Sequence, residues 1–238
     1  MNGFVSLDAK INVWYYETKE GYFLKNIPMF TTDSGVASLI LDEIPYKAEA
    51  YIRIHSASNP DKLIKETVSF CKAVGADVVF AAGHDFLERY PLHTQILRME
   101  CVKAALPTGT VKLQPVEEST LLQWCEIYNT YMKNVPNAAT MTHGKAKGLL
   151  RNNCFYVYEN GTMLGIGMVS DKGIDAIVSL VRGRGMDVML ALCTAVRCAV
   201  VSVEVASNNI PAIKLYQKLG FTRKETISKW YCVSRKST

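Results

Sequence analysis

The sequence predicts an α/β fold, and three observations carry that prediction. The order strand, helix, strand, short helix, strand occurs at about 48–105 and again at 174–234. Helix starts and stops can be read from capping residues, with apolar residues at helical spacing between them. The 238 residues are 49% hydrophobic and 21% charged, an ordinary globular balance with material for one large core or two modest ones.

Residues 1–54 read as strands and turns. KINVWYYET and GYFLKNIPMF are rich in aromatic and β-branched residues, and KEG separates them. Trp14, Tyr15, Tyr16, Tyr22 and Phe23 are most simply core and strand-pairing residues. GVASLILDEI and AEAYIRIHS read as further strands. In the helix that follows, Asn59 caps, Pro60 suits the first position, and Leu63, Ile64, Val68, Cys71 and Val74 form the apolar face. Gly75 ends it. A buried strand, ADVVFAAG, leads to a short helix broken by Pro91 and then to the strand ILRMECVKAA.

LPTGT (Leu106–Thr110) sets Pro and Gly between two patterned segments, which puts a domain boundary there. The expected domains are an N-terminal α/β domain over 1–108 and a second domain over 109–238. The second opens with the strand VKLQPV and the helix EESTLLQWCEIYNTYMKN. VPNAATMTHGKAKG reads as a loop or short helix. The strands NCFYVYEN, TMLGIGMVS and GIDAIVSLV follow, with hairpin turns at Asn160-Gly161 and Asp171–Gly173. Then come a helix to about Cys198, the strand VVSVEVAS, the helix IPAIKLYQKLG and a final strand pair around ISKWYCVS. The shared order of the halves fits an ancient internal duplication. It equally fits two βα units without common origin, since identity between the halves is weak.

The formal net charge of +5 is spread along the chain. It mildly favours an anionic ligand and falls short of a nucleic-acid-binding signature. The seven cysteines (71, 101, 125, 154, 193, 198, 232) are odd in number and no pair has CxxC spacing. The four histidines form no HExxH. Reduced thiols, a cytoplasmic setting and no metal site are expected. MNGFVSLDAK lacks a basic segment followed by an apolar one, so no signal peptide is expected. No uninterrupted apolar run approaches the ~18 residues of a membrane span.

RGRGMD (Arg182–Asp187) lies between two apolar runs. Met186, Met189, Leu190 and Cys193 recur at helical spacing, so a helix starts at or near Gly185. Its first amides lack intrahelical partners, its dipole is positive there, and Arg182 and Arg184 add charge. Such a site suits a phosphate or diphosphate. A solvated turn with two surface arginines gives the same residues. Further on, VSVEVASNNIPAIKLYQKLGF reads as a buried strand, an Asn208 or Asn209 cap, a helix with Pro211 in its first turn, and a Gly220 stop. Taken alone, Tyr216 on that helix reads as core.

ASNNIPAIKLYQKLGF resembles the late motif of the GNAT superfamily, the GCN5-related N-acetyltransferases, through Asn209, Ala212, Leu215, Tyr216, Gly220 and Phe221. RGRGMDVMLAL resembles that family's acyl-CoA loop, and the order and separation of the two also match. The resemblance covers about 110–238. It implies a mixed central sheet of GNAT type flanked by helices, with the N-terminal α/β domain as a candidate degenerate copy. It also implies acetyl transfer from acetyl-CoA, as cosubstrate, to a small-molecule or peptide amine, by a monomer or homodimer with no nucleic-acid or membrane partner. The loop amides of Arg182, Gly183, Arg184, Gly185 and Met186 would cradle the diphosphate. The pantetheine arm would pair with Ile177, Val178, Ser179 and Leu180. Asn209 would bond the arm, and Tyr216 would sit near the sulfur.

The chemistry asks for an amide to stabilise the developing oxyanion, an acid for the leaving thiolate and a base for the amine. Tyr216 is the expected acid. Glu204 is the first candidate base, Asp175 the second and His143 a third. Two departures from the family pattern bear on the anion site. Asp187 stands where Gly or Ala is usual, and IVSLV runs straight into Arg182, so the loop is tighter or the strand shorter. These features favour the rival expectation, a non-catalytic CoA-binding or protein-interaction module. Asn209 and Tyr216 favour the enzyme. The first half has HSASNPDKL where an anion loop would lie, and Pro60 removes one amide donor, so it is expected to bind no CoA.

Overall fold

Asn59 accepts the Lys62 amide at 3.1 Å and Pro60 fills the first turn, so the helix expected from residue 60 forms as its sequence directs. It joins two parallel strands, and a second helix does the same later in the chain. These crossovers organise the computed structural model, which describes residues 10–12, 28–107, 109, 111–149, 153–171 and 173–236. Trp14, Tyr15, Tyr16, Tyr22 and Phe23, and Lys172 of an expected turn, lie outside the described residues.

The chain divides into two compact units. The first runs to Thr94 and takes back the chain from Ser228 onward. It holds β1 (Lys10–Asn12), β2 (Met29–Thr32), β3 (Gly35–Ile40), α1 (Ile44–Lys47), β4 (Glu49–Ala57), α2 (Pro60–Ala73), β5 (Val78–Ala82) and the start of β6 (Leu92–Val102). Strands β1 to β4 are successive antiparallel neighbours. β4 and β5 run parallel and stay paired from Glu49↔Val78 to Arg53↔Ala82. α2 packs Leu63, Ile64 and Cys71 into a core with Ala37, Leu39, Ile52 and Ile54. Val74, expected on that face, is exposed because the helix ends at Ala73.

The second unit spans 95–227. After β6 come β7 (Lys112–Pro115), α3 (Leu121–Met132), α4 (His143–Leu149), β8 (Cys154–Glu159), β9 (Thr162–Val169), β10 (Gly173–Ser179), α5 (Gly185–Ala195), β11 (Val200–Ala206), α6 (Ile210–Lys218) and the start of β12 (Thr222–Arg235). The sheet order is β7-β8-β9-β10-β11-β6. Only β10 and β11 are parallel neighbours in it. Val201, Val203 and Val205 point to one face and pack with Val188, Leu192 and Tyr216 from α5 and α6. On the other face Tyr156, Ile166 and Val178 pack with Trp124, Tyr128 and Ala146 from α3 and α4. The Trp124 indole donates to the Phe155 carbonyl at 3.3 Å, meeting its one polar need inside the core.

Several expectations are corrected. The final strand pair is one strand, because nothing from Thr222 to Arg235 is Gly, Pro, Asn or Asp to turn the chain. The helix expected to reach Cys198 ends at Ala195, where Val196 turns extended.

Close packing of α5 on the sheet depends on a small residue. A Cβ on Gly167 would lie 2.3 Å from a Leu192 methyl and 3.0 Å from the Ala176 carbonyl. Gly167→Ala is expected to cost about 1–3 kcal/mol in urea unfolding. Gly144, with no atom within 4 Å of such a Cβ, is the control: alanine there leaves the midpoint level or higher.

Candidate functional site

The site begins with a fault in one strand. The register between β9 and β10 slips between Ile174 and Ala176, which leaves Asp175 as an extra residue. β10 pairs with β11 only at Gly173↔Ser202 and Ile174↔Val203 and then parts from it. In the first unit the corresponding parallel pair, β4 and β5, stays joined over five positions.

The parting exposes a specific set of backbone groups. The Leu180 amide donates to the Leu164 carbonyl of the β9 side at 2.8 Å. Alternation then turns the Val178 and Leu180 backbone toward β9, and that of Ile177 and Ser179 toward the side β11 has left. Of the four residues expected to line an arm, Ile177 and Ser179 present free peptide groups there. Val178 and Leu180 use theirs within the sheet.

β10 ends at Ser179 and α5 begins at Gly185, so the strand is shorter than its apolar run. Gly183 takes φ +85° in the intervening turn and its surroundings are open. The first intrahelical bond of α5 runs from the Val188 amide to the Arg184 carbonyl at 3.1 Å. The amides of Gly185, Met186 and Asp187 therefore point out of the helix start. A Cβ on Gly185 would lie 3.0 Å from Leu215 Cδ1 and 3.9 Å from Ser179 Cβ. The Gly-rich turn, the end of β10 and the Leu215-Tyr216 motif thus meet at one place.

Charge at the helix start is balanced. Arg184 donates through Nε to Asp187 at 2.5 Å and through an η nitrogen to Glu159 at 2.7 Å. Those two carboxylates hold its guanidinium above its ordinary range. Asp187 does not enter the amide pocket; it faces Arg184. Arg182 is exposed. The four formal charges of Arg182, Arg184, Glu159 and Asp187 cancel. Glu159 had no signal in the sequence, being one acid at the end of a hairpin strand.

Asn209 caps α6, its Oδ1 accepting the Ala212 amide at 3.4 Å, which leaves Nδ2 as a donor. Tyr216 is buried, with its ring 5.9 Å from that of Phe221. Burial pushes its phenol up to about 12. No hydrogen bond to its hydroxyl is found among the described residues.

A cavity of about 600 Å3 opens where β10 and β11 part. Asp175, Glu204 and Ser202 line it together with Arg98 and Glu100 of β6. Burial pushes the Asp175 carboxyl up; the Ser170 hydroxyl, donating at 3.1 Å, pulls it back, and Glu204 adds a further rise. Arg98 lies 3.3 Å from Glu204 and also binds Glu225. Both candidate bases thus share one cavity. His143 opens α4, is exposed and is no part of that lining. Arg98 and Glu100 were missed because they precede the expected boundary. Their signal is charge alternating with Leu97, Met99 and Cys101, the pattern of a strand with one wet face. Cys198 lines the cavity too, while burial raises the Cys193 thiol to about 12, far from a reactive thiolate.

No family model and no curated protein matches the sequence. Solved structures do. A GCN5-related N-acetyltransferase from Anabaena variabilis aligns with 88% of this chain and 63% of its own, with TM-score 0.58 and 12% identity. The chain has the GNAT fold. A candidate acetyltransferase from Pyrococcus horikoshii aligns over 90% and 77% of the two chains, with TM-score 0.52 and 12% identity. A conserved protein of unknown function from Staphylococcus epidermidis aligns over 87% and 93%, with TM-score 0.57 and 13% identity. This chain spans under two thirds of the Anabaena protein's length. At such identities the likeness to GNAT structures is one of fold. Among the described residues no group of side chains is arranged to hold a metal ion, and no helix is long and apolar enough to cross a membrane.

The raised Asp175 carboxyl has a consequence for stability. A carboxyl whose folded pKa exceeds its unfolded value favours the folded state below the unfolded pKa, and that advantage is lost as pH rises through the folded value. Asp175→Asn is therefore expected to have a higher urea midpoint than the parent at pH 7. The gap should close below about pH 4, the ordinary aspartate range.

Proposed function

We propose that this protein is an acyltransferase that moves an acetyl group from acetyl-CoA to a small-molecule or peptide amine, by direct attack and without a covalent enzyme intermediate. The observation that carries this reading is the parting of β10 from β11 beside the open helix start of α5. It offers, in one place, peptide groups for an extended arm and outward amides for a diphosphate. Acetyl-CoA supplies the thioester carbonyl that the amine attacks.

The chain's own groups then divide the work. The amides of Gly183, Gly185 and Met186 hold the diphosphate, with Arg182 as the unengaged cation; the Arg184 amide, expected in the cradle, is already given to the Val181 carbonyl at 3.1 Å. Ile177 and Ser179 pair with the arm, and Asn209 donates to it through Nδ2. The Ser179 amide is placed to stabilise negative charge as it develops. Tyr216 holds a proton at its phenol oxygen at any working pH and gives it to the departing sulfur. The same apolar surroundings raise the thiol as well, which narrows the mismatch between donor and acceptor. Asp175 takes the proton of the amine. It is preferred over Glu204, whose carboxylate is already engaged by Arg98 at 3.3 Å. The reaction is assigned to the cytoplasm, by a monomer or homodimer, without nucleic acid, membrane or metal.

The charge balance at α5 favours a second reading, a non-catalytic module that retains the fold. Calorimetry and turnover separate the two. One acetyl-CoA is expected to bind per chain, since β4 and β5 stay paired along the whole of β5. No binding at millimolar acetyl-CoA overturns the enzyme. Asp187→Asn is expected to tighten binding about two- to fivefold, the effect of about 0.3–1 kcal/mol at a helix start. Thioester turnover should fall on Tyr216→Phe. It should also fall on the acid side of a pH profile as Asp175 is protonated, at a midpoint above the ordinary aspartate value, and Asp175→Asn should abolish that limb.

A further inference from the structure

The cavity at the fork of β10 and β11 has a charge pattern opposite to the chain as a whole. The chain carries +5. The cavity lining holds three carboxylates, Glu100, Asp175 and Glu204, against one cation, Arg98. Arg98 is engaged by Glu204 and by Glu225, so it has no free charge for a substrate carboxylate. Glu204 is likewise engaged. Two acids remain, Asp175 and Glu100, with Ser202, Val200, Val203 and Ile174 among the groups that share the lining with them.

Register places these two acids on opposite sides of the cavity, with β11 between them. Ser202 pairs with Gly173 on one side and Glu100 on the other. Asp175 lies two positions beyond Gly173 on β10. Glu100 is therefore two strands across and two residues along from Asp175, roughly 12 Å between backbones from ordinary strand spacings. With both side chains standing off the same face, their carboxylates are about as far apart as the backbones, and a hydrogen bond of about 2.8 Å at each end leaves on the order of 6 Å between two cationic nitrogens. A short methylene chain fills that span, with the exposed Val200 on the same face as its apolar neighbour.

We infer that the acceptor is a short aliphatic diamine, with the reacting nitrogen at Asp175 and the second, charged nitrogen at Glu100. The inference rests on the acetyl-transfer reading of the same site. The new bond joins the reacting nitrogen to the acetyl carbon, and the carbon–sulfur bond breaks. The reacting nitrogen, bound as an ammonium, gives one proton to Asp175 before it attacks. The sulfur leaves with the proton from Tyr216, and the nitrogen's second proton restores the Tyr216 phenol as the adduct collapses to the amide. The far nitrogen keeps its proton and its charge throughout, so Glu100 is a specificity residue and takes no part in bond making.

The test compares diaminobutane, butylamine and aminobutyrate, which share a carbon chain and differ at the far end. The full-length protein is assayed for acetyl-CoA binding by calorimetry and for acetyl transfer to each amine. Diaminobutane is expected to exceed butylamine at least tenfold in kcat/KM, with aminobutyrate lowest. Glu100→Gln is expected to raise KM for diaminobutane with kcat retained, so that the preference over butylamine collapses. Circular dichroism and the acetyl-CoA affinity of the variant report whether it folds. Should its fold fail, Glu100→Asp serves, with an intermediate preference expected. If acetyl-CoA binds and butylamine or aminobutyrate matches diaminobutane, the acceptor inference is overturned while the acetyl-transfer reading stands. If acetyl-CoA does not bind at all, both are overturned.

Discussion

The constraint on which the site depends is the short pairing of two parallel strands. Parallel strands normally stay bonded along their length, because a buried peptide group without a partner is costly. Here β10 and β11 hold together at Gly173 and Ile174 and then separate. The separation starts at the extra residue Asp175, whose insertion twists β10 away from its neighbour while β9 stays attached on the other side. Everything else at the site follows from that fork. It frees the Ile177 and Ser179 backbone, brings the end of β10 to the start of α5, and opens a cavity at its vertex.

The contrast with the first unit makes the point by subtraction. Both units contain an antiparallel strand, a parallel crossover and a covering helix. In the first, every residue of β5 is paired with β4, and the helix start is closed by Asn59 on the Lys62 amide. The same order of elements therefore supports two different surfaces. The presence of a strand–helix–strand unit does not itself make a ligand site; the bulge and the uncapped helix start do.

Much of the fold was legible in the sequence because its signals are local. Asn59, Pro60 and Gly75 bracket α2, Asn160-Gly161 turns β8 into β9, and alternation marks β11. The RGRG turn and the Leu215-Tyr216 motif were also legible, and the packing of Leu215 against Gly185 joins them. What escaped depends on pairing between distant residues. That Asp175 is a bulge follows from register with β9. That Arg184 belongs to Glu159 follows from a hairpin 25 positions earlier. The cavity's Arg98 and Glu100 lie on a strand far from β10 in sequence, and only the sheet order brings them beside β11. Periodicity reports which face a side chain takes and is silent on which strand will lie next to it.

The last strand carries a consequence for how the protein is made. β5 pairs with Tyr231–Arg235, so the first unit takes its final strand from residues synthesised after the whole of the second. While the chain is growing, the edge of β5 has no partner from its own unit. An N-terminal piece emerging from the ribosome cannot finish folding and wait, as an independent domain would. Completion of the first sheet is postponed until the whole of the second unit has been made, when strand β12 becomes available to join it.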